Sequence, residues 1–253
     1  MKKVIFFLFF LTVGLFAEHK ICPLDHHFSF GPKYVRAAVK PSGHPSFHGN
    51  MGGMEILYEY GPGDFLYGAG AFDWAYGKVH AGNGKRDLLD INVCERLGYT
   101  WSFWNRDFLL SLFSGFGYRH LDHDVKINHM SSIDLHYNHF YLPIGLLTHT
   151  QINSFFSIGG NVIWKGQLFS TVHISPIGGA HWKIQKKYKN VLVELPLTFL
   201  VHNPTHFSLV FVPYFELWQD GHTTARSSSG LQLNLPQNTN IFWGAQLNLR
   251  FSF

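Results

Sequence analysis

His120, His123, His129, His136 and His139 fall in one short stretch, with Asp122, Asp124 and Asp134 among them. Imidazole nitrogens beside carboxylate oxygens suit zinc, copper or nickel. They also carry a pH-dependent charge, because an unperturbed histidine titrates near pH ~6.5. The chain holds 17 histidines in all, and His44, His48, His173, His181, His206 and His222 are scattered over other connections. No two residues of the stretch form a recognised ligand motif. The expectation is therefore polar-aromatic residues in loops and at lipid-headgroup level, with a pH-dependent charge, no metal and no cofactor.

The elements that carry these residues follow from composition and pattern. Only 14% of the 253 residues are charged, whereas 46% are hydrophobic and 17% aromatic. A soluble domain usually carries about 25% charge. Phe and Gly each occur 25 times, which favours strands and tight turns. The apolar content excludes disorder. A formal charge of +4 without a basic stripe excludes a nucleic-acid partner.

Residues 1–17 read Met-Lys-Lys, then an apolar core from Val4 to Phe16, then Ala17. That order predicts a secretory signal peptide, because the apolar run is shorter than the ~20 residues of a spanning helix. Residues 18–32 are expected to form a periplasmic lead-in. Two cysteines, Cys22 and Cys94, do not make a disulfide framework; independent thiols are the expectation, and a Cys22–Cys94 bond is the alternative if residues 18–32 fold into the barrel mouth.

Beyond residue 32 the chain alternates. Ile241, Trp243, Ala245, Leu247, Leu249, Phe251 and Phe253 share one face of a strand, and Asn240, Phe242, Gly244, Gln246, Asn248, Arg250 and Ser252 the other. Residues 89–103 split the same way, with Glu95 the exception on the apolar side. Between Ile133 and His149 the apolar parity changes near His139 to Tyr141, which predicts a bulge. Short breaks such as Gly61-Pro62-Gly63-Asp64 alternate with longer polar ones near 41–50, 79–87, 122–132, 168–186 and 220–239. Trp and Tyr gather near strand ends, at Tyr99, Trp101, Trp104, Tyr214, Trp218 and Trp243. The pattern predicts an all-β fold, a transmembrane antiparallel up-and-down barrel of about ten strands over 33–253, with both termini in the periplasm. Eight or twelve strands follow if the first strand fails or the 168–186 loop hides a hairpin.

The Met-Lys-Lys signal, the paired long strands and the final Leu-Asn-Leu-Arg-Phe-Ser-Phe resemble small outer-membrane β-barrel proteins of Gram-negative bacteria. Leu247, Leu249, Phe251 and Phe253, at two-residue steps, resemble the C-terminal signal that the barrel assembly machinery reads in that class. The resemblance implies an outer-membrane location, contact with outer-membrane lipid and lipopolysaccharide, and insertion by that machinery. It implies no reaction.

On the same parity Glu55, Glu59, Asp73, Asp90, Arg96, Arg119, Glu194, Glu216 and Arg250 point into the lumen. Charges there must be paired or wet, because isolated burial costs several kcal/mol. Ten strands sit near the width that side chains can fill. A structural or surface-exposed barrel with slow passage of small solutes is the leading expectation, and a narrow porin the second. The third is a rim enzyme, in which Asp122, His123 and Asp124 imitate half of an omptin-type protease site; its second half is not recognisable, and no catalytic residue is assigned.

Overall fold

The computed structural model describes residues 26–61, 65–82, 84–104, 107–127, 131–175, 181–202, 206–223 and 234–253. The expected signal peptide, Cys22 and His129 lie outside the described residues, as does most of the expected lead-in. Twelve strands follow one another: β1 (His26–Pro41), β2 (Phe47–Tyr60), β3 (Phe65–Ala81), β4 (Gly84–Phe103), β5 (Phe108–Ile127), β6 (Ser131–Asn153), β7 (Phe156–Ser175), β8 (His181–Lys183), β9 (Val191–Glu194), β10 (Leu197–His202), β11 (Phe207–Asp220) and β12 (Asn238–Ser252). Every pairing is antiparallel, and β12 closes on β1. On the other side β9 and β10 bridge β7 and β11. β8 continues the same line above them, on β7. The result is a closed barrel of ten staves, the eighth assembled from β8, β9 and β10.

The first strand starts at His26, seven residues before the expected boundary at 33. Phe28 and Phe30 already alternate with Ser29 and Gly31, and Pro32 does not end the strand because the pairing with β12 passes from Phe30 to Lys33 and asks no ladder bond of its missing N–H. Three breaks expected as long loops, 79–87, 122–132 and 168–186, are largely strand instead. β3 and β4 pair as far as Ala81 and Gly84, β5 and β6 as far as Ile127 and Ser131, and β7 runs to Ser175 with β8 paired on it. Strands of 17 to 23 residues exceed the 9–11 or so that cross lipid, so they stand well above the bilayer.

That excess length explains the parity change on β6. Along the whole strand even-numbered residues face out, from His136 and Asn138 through Phe140, Leu142 and Ile144 to Leu146; odd-numbered ones, Leu135, Tyr137, His139 and Tyr141, face in. The strand does not turn over; its surroundings do. In lipid the outer face is apolar and the inner face polar. Above lipid the outer face meets water and turns polar, while the inner face packs an apolar core. The bulge sits on the partner: Phe140 opposes Phe169 but Tyr141 opposes Gln167, so β7 carries Leu168 as an extra residue and leaves Leu168 and Phe169 both exposed.

The lipid belt on β5 is Phe108, Leu110, Leu112, Phe116 and Tyr118, followed by His120, Asp122 and Asp124. On β12 it is Trp243, Ala245, Leu247, Leu249 and Phe251. Phe251 lies between the rings of Phe30 and Phe207, at 6.3 and 5.2 Å, and the ring of His26 stacks on Phe253 at 5.6 Å. Tyr99, Trp101, Trp104 and Trp243 face out as expected of interfacial aromatics; Tyr214 and Trp218 do not, being buried inside the barrel. Leu112 sits in mid-belt, so Leu112→Arg is expected to cost about 2–4 kcal/mol in lipid vesicles. Equilibrium urea unfolding measures it, and an unchanged unfolding free energy would place Leu112 in water.

Candidate functional site

The interior has three zones along the barrel axis. At the end where the long hairpins close, Val39, Val79, Leu88, Leu121, Leu135, Val172, Trp182 and Trp218 form an apolar plug, each no more than 8% exposed. Trp182 comes from β8, so the short strand laid on β7 is what completes this core.

Below the plug lies a charged waist. Arg119 donates Nε and Nη2 to the two oxygens of Asp90, at 2.9 and 2.6 Å, and Nη1 to Glu216 at 2.8 Å. Lys165 donates to the same Glu216 oxygen at 2.6 Å. Lys33 donates to Asp73 at 2.5 Å, and Asn92 donates to the other Asp73 oxygen at 2.9 Å. The Tyr141 hydroxyl reaches Asn92 at 2.7 Å across the waist. Gly117 makes that reach feasible, since a Cβ there would lie 2.1 Å from the Tyr141 ring. Glu55 accepts from Asn248 and Glu194 from Asn161, and the Arg96 guanidinium lies over Phe113. Cys94 is buried in the same layer. The space left among these groups is about 20 Å³, room for roughly one water.

At the opposite end, where His26, Phe253 and the short turns meet, a cavity of about 320 Å³ opens between Glu59, Tyr67, His149, Ser157 and Arg250. Arg250 and Glu59 stand 3.4 Å apart on its wall.

Of the nine charged residues, Asp73, Asp90, Arg119 and Glu216 stand in ion pairs at the waist, Glu55, Arg96 and Glu194 line the space beside them, and Glu59 and Arg250 line the cavity. The sequence reading missed Lys33 and Lys165, the two lysines of the waist. Lys33 stands at the edge of the strand expected from residue 33, where alternation has no preceding residue to set its face. Lys165 was legible by parity, two steps from Ile163 on the inner face of β7.

The histidine-rich stretch divides by parity. His123 and His139 face inward and are buried; His120, Asp122, His136 and Asp124 face outward above the lipid belt. Asp122-His123-Asp124 therefore does not converge as a catalytic trio, because its histidine lies on the opposite side of the wall from its carboxylates. Inside, His139 Nδ1 is 2.9 Å from Ser170 Oγ, and its Nε2 is 3.0 Å from Asp220 Oδ1. The order serine, histidine, aspartate invites comparison with a nucleophilic triad. All three are at most 3% exposed, and neither cavity described above reaches them. No substrate carbonyl can approach Ser170, and the line acts as packing.

Outside, Asp122 Oδ1 lies 2.9 Å from His120 Nε2 and 2.6 Å from His136 Nδ1. Partial burial opposes ionisation there, yet the hydrogen bonds from His120 and His136 hold the Asp122 carboxyl below the usual range. The Asp122 contact raises His120 above an ordinary histidine, against a smaller desolvation.

No family model matches the chain, and no curated protein does. The fold is that of solved outer-membrane barrels. The outer membrane protease OmpT from Escherichia coli superposes with a TM-score of 0.62 at 9% identity, over 94% of this chain and 99% of that one. The transport unit of the autotransporter AIDA-I, also from Escherichia coli, gives 0.48 at 12% identity over 96% and 94%. At 9% identity the likeness to OmpT extends to the fold alone.

Proposed function

We propose that the protein is an integral outer-membrane barrel with a closed lumen and a structural or surface-exposed role. The carrying observation is the filled interior: an apolar plug stacked on an ion-paired waist that leaves about 20 Å³. A solute path would have to break buried ion pairs, which costs about 3–5 kcal/mol per unpaired charge. This supports a wall over a pore. The short turns, His26 and Phe253 then face the periplasm with the 320 Å³ cavity, and the tall hairpins face outside.

Charge above the lipid belt supports lipopolysaccharide as the lipid partner. Arg36, Lys40, His48, Lys78, His80 and Lys85 all project outward and are exposed on β1 to β4. His48 opposes His80 and His80 opposes Lys85 across the strands, a basic cluster at the height where lipid phosphates sit.

Refolded protein in a planar bilayer tests the reading, with heat-modifiable gel mobility as the folding control. A folded barrel that stays silent is expected. Discrete conductance steps would overturn the closed lumen and make solute passage the function.

A further inference from the structure

We propose that the outer face of the upper wall binds one transition-metal ion, of the zinc, nickel or copper(II) class, through His120 Nε2, an Asp122 carboxylate oxygen and His136 Nδ1. The sheet itself brings the three together. Asp122 stands two residues beyond His120 on the outer face of β5, and His136 opposes Asp122 directly on β6. Their ligand atoms all lie within 4.8 Å of one another. The side chains are 24%, 26% and 29% exposed, enough for an ion to enter and for the rotamers to open slightly around it.

Second contacts orient both rings as ligands. The Asn138 side-chain oxygen already accepts the Tyr118 hydroxyl at 2.5 Å and lies 2.9 Å from His120 Nδ1. An amide oxygen can only accept, so in the neutral ring Nδ1 carries the hydrogen and Nε2 turns its lone pair toward Asp122. Either a proton on Nε2 or a metal ion between the two atoms holds this 2.9 Å contact, and the metal is the occupant proposed. On His136, Ser175 Oγ lies 3.3 Å from Nε2 and can accept from it or donate to it, while Nδ1 faces Asp122 at 2.6 Å. Metal-bound histidines are characteristically fixed in this way through the other ring nitrogen.

Two imidazoles with one carboxylate favour zinc and its neighbours over magnesium or calcium, which prefer all-oxygen shells. Three protein ligands leave a coordination position open, to water or to a donor outside the chain. The row continues outward, with His173 beside His136 at 5.9 Å between ring centroids and His181 beside His173 at 5.7 Å. These lie outside the three-ligand set and serve as the control.

The test uses the full barrel refolded in detergent without an affinity tag, near pH ~7.5, where ordinary imidazole is neutral. Zinc alone is titrated by calorimetry, and cobalt(II) alone is followed by its visible absorption. One equivalent bound at micromolar Kd is expected, with a ligand-field band from cobalt. Asp122→Asn combined with His136→Gln should weaken it more than about 100-fold, since even losing a partner of a ligand costs about 10- to 100-fold. His173→Asn should leave affinity and band unchanged. Each ligand substitution is also made singly, and heat-modifiable mobility certifies folding. Wild type that takes up no zinc tighter than about 1 mM overturns the site. So does a folded double variant that keeps wild-type affinity, or a loss in His173→Asn as large as in the double variant.

Discussion

Arg119→Met is expected to lower the unfolding free energy by about 3–5 kcal/mol, the cost of stripping one partner from a buried ion pair. Arg119 is 1% exposed and is the cation for both Asp90 oxygens. Its guanidinium also lies 4.7 Å from the Trp218 ring and 4.9 Å from Phe242, so packing is lost with the charge. The two carboxylates are not left in equal positions. Glu216 keeps Lys165, whereas Asp90 loses the partner that holds both of its oxygens. Adding Asp90→Asn to Arg119→Met should therefore recover more stability than adding Glu216→Gln. Urea unfolding in vesicles, followed by heat-modifiable mobility, measures all four proteins. A single-variant loss below about 1 kcal/mol would match a solvent-exposed pair. It would mean a wet, open waist, against the closed lumen.

How much of this could be read from the chain depended on where each residue stood relative to lipid. The final strand was legible throughout, because Trp243, Leu247, Leu249 and Phe251 meet lipid while Gln246, Asn248 and Arg250 meet the lumen. Glu95, the exception on the apolar side, is exposed between Val93 and Leu97. Alternation misled where the surroundings exchanged. Above the belt, Leu121, Leu135 and Val172 point inward because water replaces lipid outside, so the same strand reads as two opposite faces joined by a break. Polar outward residues there, such as Asp122 and Lys85, have the pattern of loop for the same reason. The His120–Asp122–His136 convergence depends on the register between β5 and β6, which sequence spacing does not contain. The three-piece eighth stave was likewise hidden, since Lys186-Lys187-Tyr188-Lys189-Asn190 interrupts it with residues that have no strand pattern.

Trp218→Ala and Trp243→Ala test that exchange of faces directly, because both residues have the sequence signature of an interfacial aromatic. Trp218 is fully buried and Trp243 is 47% exposed. The Trp218 indole donates to Asp220 at 2.8 Å, meets His139 and Tyr141 edge-on, and covers Arg119. Truncating it removes a large core side chain and strips a hydrogen-bond donor from a buried carboxylate. The expected loss is about 3–5 kcal/mol. Trp243 contacts Arg36 at 5.4 Å on the lipid-facing side, where lipid fills the space it leaves; its loss is expected near about 1 kcal/mol. The void left by Trp218 lies above the Arg119–Asp90–Glu216 layer, which still spans the waist, so Trp218→Ala should weaken the barrel without making it conduct. Equal losses for the two tryptophans would put Trp218 in the girdle and remove the apolar plug. Conductance in a folded Trp218→Ala barrel would show that the plug, and not the ion-paired waist, is the seal.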